Sequence, residues 1–195
     1  TVLDDKPAIG FDTGPGNGLL DDWYQQHHSG LFDPGGDWAA SGRTDQELLA
    51  KLKDDPYFRL APPKSTGKEY FSAAWLQQKI EAFGELPAQD VQATLCQFSA
   101  DTISAAIRQH APGTNQVFIC GGGAHNRHLL RLLAENMRLP VASTATIGID
   151  PDHVEAIAFA WLARQTLNGL PGNLCSVTGA KAPVILGGIY PGGPG

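Results

Sequence analysis

Four short stretches pair reactive side chains with residues that let a ligand come close. The first, Ile9-Gly10-Phe11-Asp12-Thr13-Gly14-Pro15-Gly16-Asn17, reads as an apolar strand that delivers a carboxylate and a hydroxyl to one point, followed by a flexible Gly-Pro-Gly turn. A charge at a strand end beside glycines that free backbone N–H groups suits a phosphate or sugar site. The same residues also suit an ordinary turn, in which Asp and Gly serve only backbone geometry. The second stretch, Pro62-Pro63-Lys64-Ser65-Thr66, offers a cation and two hydroxyls ahead of a helix expected over Tyr70 to Phe83. It lacks the Gly-x-x-x-x-Gly-Lys spacing of a P-loop, and a plain N-capped helix start is its alternative. In the third, Gly121-Gly122-Gly123 follows an expected buried strand, Gln116 to Cys120, and precedes a helix from about Asn126. A strand–glycine–helix turn suits a nucleotide lying on the backbone, while the missing Gly-x-Gly-x-x-Gly spacing disfavours NAD. The fourth is Glu155, set among Val154, Ala156, Ile157, Ala158 and Phe159. A carboxylate among apolar neighbours needs a partner, from protein or ligand, unless it merely complements the dipole of its helix start.

These residues must be carried by elements that the hydrophobic pattern outlines. Ala8 to Phe11 reads as a strand, and a helix starts at about Gly18 and ends at Ser29-Gly30. After a loop at Asp33 to Asp37, Trp38 to Gly42 covers part of the core. Thr44-Asp45-Gln46-Glu47 resembles a capping box for a helix over Leu48 to Leu52, which Asp54-Asp55-Pro56 stops. Pro87 to Asp90 caps a long helix, Val91 to His110, with Leu95, Phe98, Ile103 and Ile107 on its core face. Leu129, Leu130, Leu132 and Leu133 mark the helix after the glycine turn, Leu139 to Ser143 a further strand, and Thr144 to Asp150 a loop. Pro151 opens a helix to Leu167, and Pro183 to Pro191 reads as a late strand.

A chain of 195 residues with 42% hydrophobic content can bury a substantial core. Its net charge of −6 argues against a nucleic-acid surface. Apolar runs such as Val117 to Cys120 and Ala156 to Ala163 are far too short to span a bilayer, and the reading expects a cytoplasmic protein. Cys96, Cys120 and Cys175 are widely spaced and form no CxxC pair, so buried thiols are expected rather than disulfides or zinc. His27, His28, His125 and His128 have no third ligand nearby and read as surface residues, so no metal ligands are expected. The chain opens at Thr1 without an initiator Met and runs through Val2-Leu3 and a turn at Asp4 to Pro7 directly into the first strand, which suggests entry in mid-fold.

Taken together, Gly10-Phe11-Asp12-Thr13-Gly14-Pro15-Gly16-Asn17, Pro62-Pro63-Lys64-Ser65-Thr66-Gly67-Lys68-Glu69-Tyr70-Phe71, Cys120-Gly121-Gly122-Gly123-Ala124-His125-Asn126 and Gly148 to Ala156 resemble the 1,6-anhydro-N-acetylmuramic acid kinase family. The likeness continues through Leu170-Pro171-Gly172-Asn173 and Val177-Thr178-Gly179-Ala180 to Gly187-Gly188-Ile189-Tyr190-Pro191. It implies an α/β fold, an actin-like ATPase (ribonuclease H-like) lobe with a mixed sheet flanked by helices. The family phosphorylates the sugar O6 with ATP while water opens the 1,6-anhydro ring, giving N-acetylmuramic acid 6-phosphate in peptidoglycan recycling. By resemblance Asp12 is the general base toward water. Thr13, Gly14, Gly16 and Asn17 lie near the triphosphate, Gly121, Gly122 and Gly123 near the adenosine, and Asn126 with them. Glu155, Lys64 and Ser65 contact the sugar, Mg²⁺ bridges the phosphates, and the enzyme is a homodimer.

One departure is large. The family's first phosphate loop, of the Gly-Thr-Ser-x-Asp-Gly type, has no match in residues 1–195, so the chain is expected to be the C-terminal lobe of a two-lobed sugar kinase, without its N-terminal lobe. A non-catalytic nucleotide-binding or ATPase module of the actin-like superfamily is the alternative, and the run Ile149 to Ala156 counts against it.

Overall fold

Residues 7–193 are described by the computed structural model. Its longest element is a helix of 23 residues, which we label α5 (Ala88–His110). Val91, Leu95, Cys96 and Phe98 are buried along it, and the small residues Ala93, Ala100, Thr94, Ser99 and Ser104 are buried too, so neighbours approach it closely from several sides. Against it pack α1 (Gly18–His27), α2 (Asp37–Ser41), α3 (Gln46–Lys53) and α6 (Arg127–Met137), while α4 (Ala73–Ile80) bridges α1 and α3. Leu19, Leu20, Leu48, Leu52, Phe98 and Leu133 fill the shared core.

The rest is mixed α/β. Strands β1 (Val117–Ile119) and β2 (Val141–Ser143) pair in parallel, Val117 opposite Val141 and Ile119 opposite Ser143, with α6 as the crossover that parallel pairing requires. Helices α7 (Val154–Leu167) and α8 (Cys175–Thr178) follow. Helix α6 presents Leu129, Leu132 and Leu133 to the core, and the Asn126 side chain caps it by accepting from the Leu129 N–H at 2.9 Å.

Several expectations are corrected. Ala8 to Phe11 is extended but forms no ladder, because no strand among the described residues lies beside it. Single bonds fix it instead: the Asp12 N–H donates to the Lys64 carbonyl at 3.2 Å and Ser176 Oγ donates to the Ala8 carbonyl at 2.7 Å. The turn expected from Asp4 falls on residues outside the described ones, Pro7 excepted. Strand β1 is shorter than expected and only half-buried: Ile119 packs against the core while Phe118 faces partly outward. Pro183 to Pro191 is no strand, because the Val184 N–H goes to Asn173 Oδ1 at 2.7 Å and its carbonyl accepts from the Gly172 N–H at 3.0 Å.

Asp45 rather than Thr44 caps α3, its carboxylate accepting from the N–H groups of Glu47 and Leu48. The helix expected from Tyr70 begins at Ala73 behind Ser72, because the Tyr70 phenol is drawn to Asp55 at 2.7 Å. Helix α7 starts at Val154, three positions past Pro151, and none of its residues is buried. All three cysteines are free, but only Cys96 is buried. No helix among the described residues is long and apolar enough to cross a membrane.

Candidate functional site

The segment that carries Asp12 is held from three sides. Tyr57 Oη donates to the Asp12 carbonyl at 2.7 Å, Ser99 Oγ of α5 donates to the Gly16 carbonyl at 2.7 Å, and Leu19 and Leu20 anchor the start of α1 in the core. Close packing fixes the turn between them. A Cβ on Gly14 would stand 3.2 Å from Thr102 Oγ1 and 3.3 Å from the Phe58 ring, at a φ of 153°.

Distant residues complete the carboxylate. Asp12 Oδ2 accepts from Ser65 Oγ at 2.8 Å and from the Thr66 N–H at 2.9 Å, and Oδ1 accepts no hydrogen bond from the described residues. One oxygen is therefore anchored by two donors, while the other is free to accept a proton from a bound water or hydroxyl. The carboxylate lines a cavity with Gly14, Gly18, Thr66 and Lys68. Thr66 Oγ1 is buried there without a partner, and buried polar groups ordinarily have one.

The scaffold beneath is Asp55, which is 4% exposed. It accepts from the Tyr57 N–H, the Tyr70 phenol and Trp75 Nε1 at 3.0, 2.7 and 2.9 Å, and Lys79 Nζ lies 3.5 Å away. Burial works against its charge, but these donors and Lys79 outweigh it and hold the carboxyl below its ordinary pKa. Tyr57 is pushed up by burial first and by Asp12 and Tyr70 next, which keeps its phenol protonated as a donor to the Asp12 backbone.

A second cavity lies across the first turn of α1, lined by Asn17, Leu20, Asp21, Phe32, Gly122 and Asn126 among others. Here the first and third stretches meet: a Cβ on Gly123 would stand 3.8 Å from Asn17 Nδ2. Added Cβ atoms on Gly16, Gly121 and Gly122 would meet open space, and Asn17 Oδ1 is buried without a partner. The Gly121 N–H donates to the Pro151 carbonyl at 2.8 Å, tying the glycine turn, at a φ of 66°, to the approach of α7. His125 Nε2 adds a contact to Asp152 at 2.8 Å.

Of the residues singled out in the sequence, Asp12, Ser65 and Gly14 come together at the first cavity, and Asn17, Gly122 and Asn126 at the second. Thr13 and Lys64 line a different cavity with Phe11 and Phe58. Burial lowers the Lys64 pKa, and its ammonium donates to the Tyr57 carbonyl at 3.2 Å beneath the Tyr57 ring. Glu155 is exposed, lines neither cavity and makes no hydrogen bond or ion pair among the described residues, so the apolar setting expected around it is not a buried one. Tyr57, Asp55, Lys68 and Asp21 went unread in the sequence. Only Lys68, four residues past Lys64 in the same polar run, carried a signal that could have found it.

Open space about Gly16, Gly121 and Gly122, together with two orphaned buried acceptors, fits a polar ligand with close backbone contact. No group of three or more His, Cys, Asp or Glu that could hold a metal ion is present among the described residues. Magnesium often binds through substrate phosphates and water with few protein ligands, which such a site accommodates.

The sequence profile described as "Anhydro-N-acetylmuramic acid kinase" matches residues 1–192. Proteins of that name are similar to the chain at 52% identity in Xylella fastidiosa, 46% in Cupriavidus metallidurans and 52% in Xanthomonas campestris. The alignments take in 95%, 95% and 96% of the chain but 49%, 50% and 50% of those relatives. The chain thus spans about half the length of the curated relatives it matches.

Proposed function

The chain belongs to the anhydro-N-acetylmuramic acid kinase family, and from that premise we propose that it is the C-terminal lobe of an ATP-dependent kinase, of actin-like fold, in which Asp12 activates the attacking water. The N-terminal lobe, with its phosphate loop, is supplied by the remaining length that the relatives possess. The observation that carries this reading is the half-anchored Asp12 carboxylate, with Oδ2 held by two donors in a residue that lines a cavity.

Asp12 takes a proton from the water that attacks the anomeric carbon of 1,6-anhydro-N-acetylmuramic acid. The C1–O6 bond breaks as the C1–OH bond forms, and the freed O6 is the acceptor for phosphate. Ser65 orients the base through Oδ2 and stands close enough to share the sugar. Gly14, Gly16 and Asn17 border the phosphates, Lys68 offers them a cation, and Gly121 to Gly123 with Asn126 border the nucleoside. ATP with Mg²⁺ supplies the phosphoryl group and neutralises its developing charge. Thr13, Lys64 and Glu155 would meet ligand only if the lobes close or the loops shift. We assign the assembled enzyme to the cytoplasm and to a homodimer on resemblance.

The test joins this chain to the complementary half of the Xylella fastidiosa relative and incubates it with ATP, Mg²⁺ and the anhydro sugar in water enriched in heavy oxygen. Mass spectrometry of the product should show a phosphorylated sugar carrying one heavy oxygen. Phosphorylated sugar without the label would defeat the water-activating role of Asp12, and absence of any product from a folded fusion would defeat the kinase reading.

A further inference from the structure

The cavity between α1 and the glycine turn holds a carboxylate to which the family resemblance gives no work. Asp21, in the first turn of α1, lines it beside Leu20, Phe32 and Gly122. The neighbouring polar groups are committed. Both Asp33 oxygens accept from backbone N–H groups, those of Trp38 and Ala39, at 3.0 and 2.9 Å. Asn126 Oδ1 caps α6 and His125 pairs with Asp152. The Asp21 side chain makes no hydrogen bond or ion pair among the described residues, and Lys68 is the one cation that acts on it from a distance. Asn17 Oδ1 is the second unpartnered acceptor at this cavity.

Two acceptors without partners at a cavity lined by Leu20, Phe32 and Gly122 suit a ligand with an apolar body and hydroxyl donors. A nucleoside has both. Its vicinal ribose hydroxyls are two donors that one carboxylate can take, and a hydrogen bond to a charged acceptor is among the stronger kinds. A phosphate would be repelled by the Asp21 charge, which sets the direction of the ligand: nucleoside at Asp21, phosphates toward Lys68.

We propose that Asp21 holds the ribose 2′- and 3′-hydroxyls of the nucleotide and so selects ribonucleotides over deoxyribonucleotides. This rests on the kinase reading above. The experiment measures, by titration calorimetry, the affinity of the chain joined to the complementary half as above, and of its Asp21→Asn and Asp21→Leu variants in the same fusion, for ADP, 2′-deoxy-ADP and 2′,3′-dideoxy-ADP, with thermal melting as the check on folding.

The native fusion should bind ADP about tenfold or more tightly than the dideoxy analogue, the effect of a charge-assisted hydrogen bond, and Asp21→Leu should bind all three alike. Asp21→Asn keeps the shape and one neutral acceptor, so its preference should fall between the two. Equal affinity of the native fusion for ADP and both deoxy analogues overturns the role of Asp21 and leaves the kinase reading standing. Retention of the native preference by Asp21→Leu overturns that role equally. If the native fusion binds none of the three, the nucleotide part of the kinase reading falls with it.

Discussion

Ser65 and Thr66 hold Oδ2 and so orient the Asp12 carboxylate, and in the role proposed above proton removal would depend on its charge. In the joined enzyme, Asp12→Asn should lower kcat about a hundredfold or more while nucleotide affinity, read by calorimetry, stays close to native. Ser65→Ala should cost less, because the Thr66 N–H still orients the carboxylate. Asp21 gives a prediction of the opposite character. Its pKa is raised from 3.8 to about 6, mainly by burial, with Lys68 opposing and Asp22 and Asp33 adding to the rise. The folded chain therefore binds a proton that the unfolded chain has released, and stability falls as pH climbs from about 4 to about 6. Asp21→Asn should raise the melting temperature at pH 7 and leave it unchanged below about pH 4. With the ribose role proposed above, a charge that weakens the fold would be a familiar trade of stability for function.

At the scale of elements, Asp55 joins the 3-10 turn Pro56–Arg59, Tyr70 and α4 into one support for the loop that grips Asp12. Its pKa is depressed, so its contribution is present above the ordinary carboxylate range and is lost as pH falls through about 4 and below. Asp55→Ala leaves the buried Tyr57 N–H and the half-buried Trp75 Nε1 without their acceptor, frees the exposed Tyr70 phenol, and should cost about 2 kcal/mol in a denaturant titration. None of this was legible in the sequence, where Asp54-Asp55-Pro56 reads as a helix stop. The helices were legible because α3 and α6 bury leucines three and four positions apart, α5 buries Val91, Leu95 and Phe98 at the same spacing, and α1 opens on the buried pair Leu19 and Leu20, all local signals. The two paired strands were legible as well, β1 inside Gln116 to Cys120 and β2 inside Leu139 to Ser143, whereas Ala8 to Phe11 and Pro183 to Pro191 form no ladder, since a segment becomes a ladder strand only if a neighbour pairs with it. Asp12 itself was legible by type and by its glycines. Its contact with Ser65 spans 53 residues and follows from packing that no local pattern encodes.

The molecule as a whole is uneven. One end is a packed helical core around α5, whereas α7 and the segment after it leave Ile157, Phe159, Trp161, Leu167 and Ile189 uncovered, each at least 48% exposed. Several large apolar side chains left exposed along one helix often meet another surface. The chain by itself should therefore self-associate as its concentration rises, detectable by sedimentation velocity. Replacing Ile157 and Phe159 by Lys should suppress that association without lowering the melting temperature, because neither side chain is buried in the core. If the association persists unchanged in this variant, α7 is not its origin.

That same uncovered face has a thermal consequence. Any surface that docks on α7 would do so chiefly by removing hydrocarbon from water, so the docking should carry a large negative heat-capacity change. Such a contact would be held more weakly in the cold, and chilling would loosen it before the helical core around α5 melts.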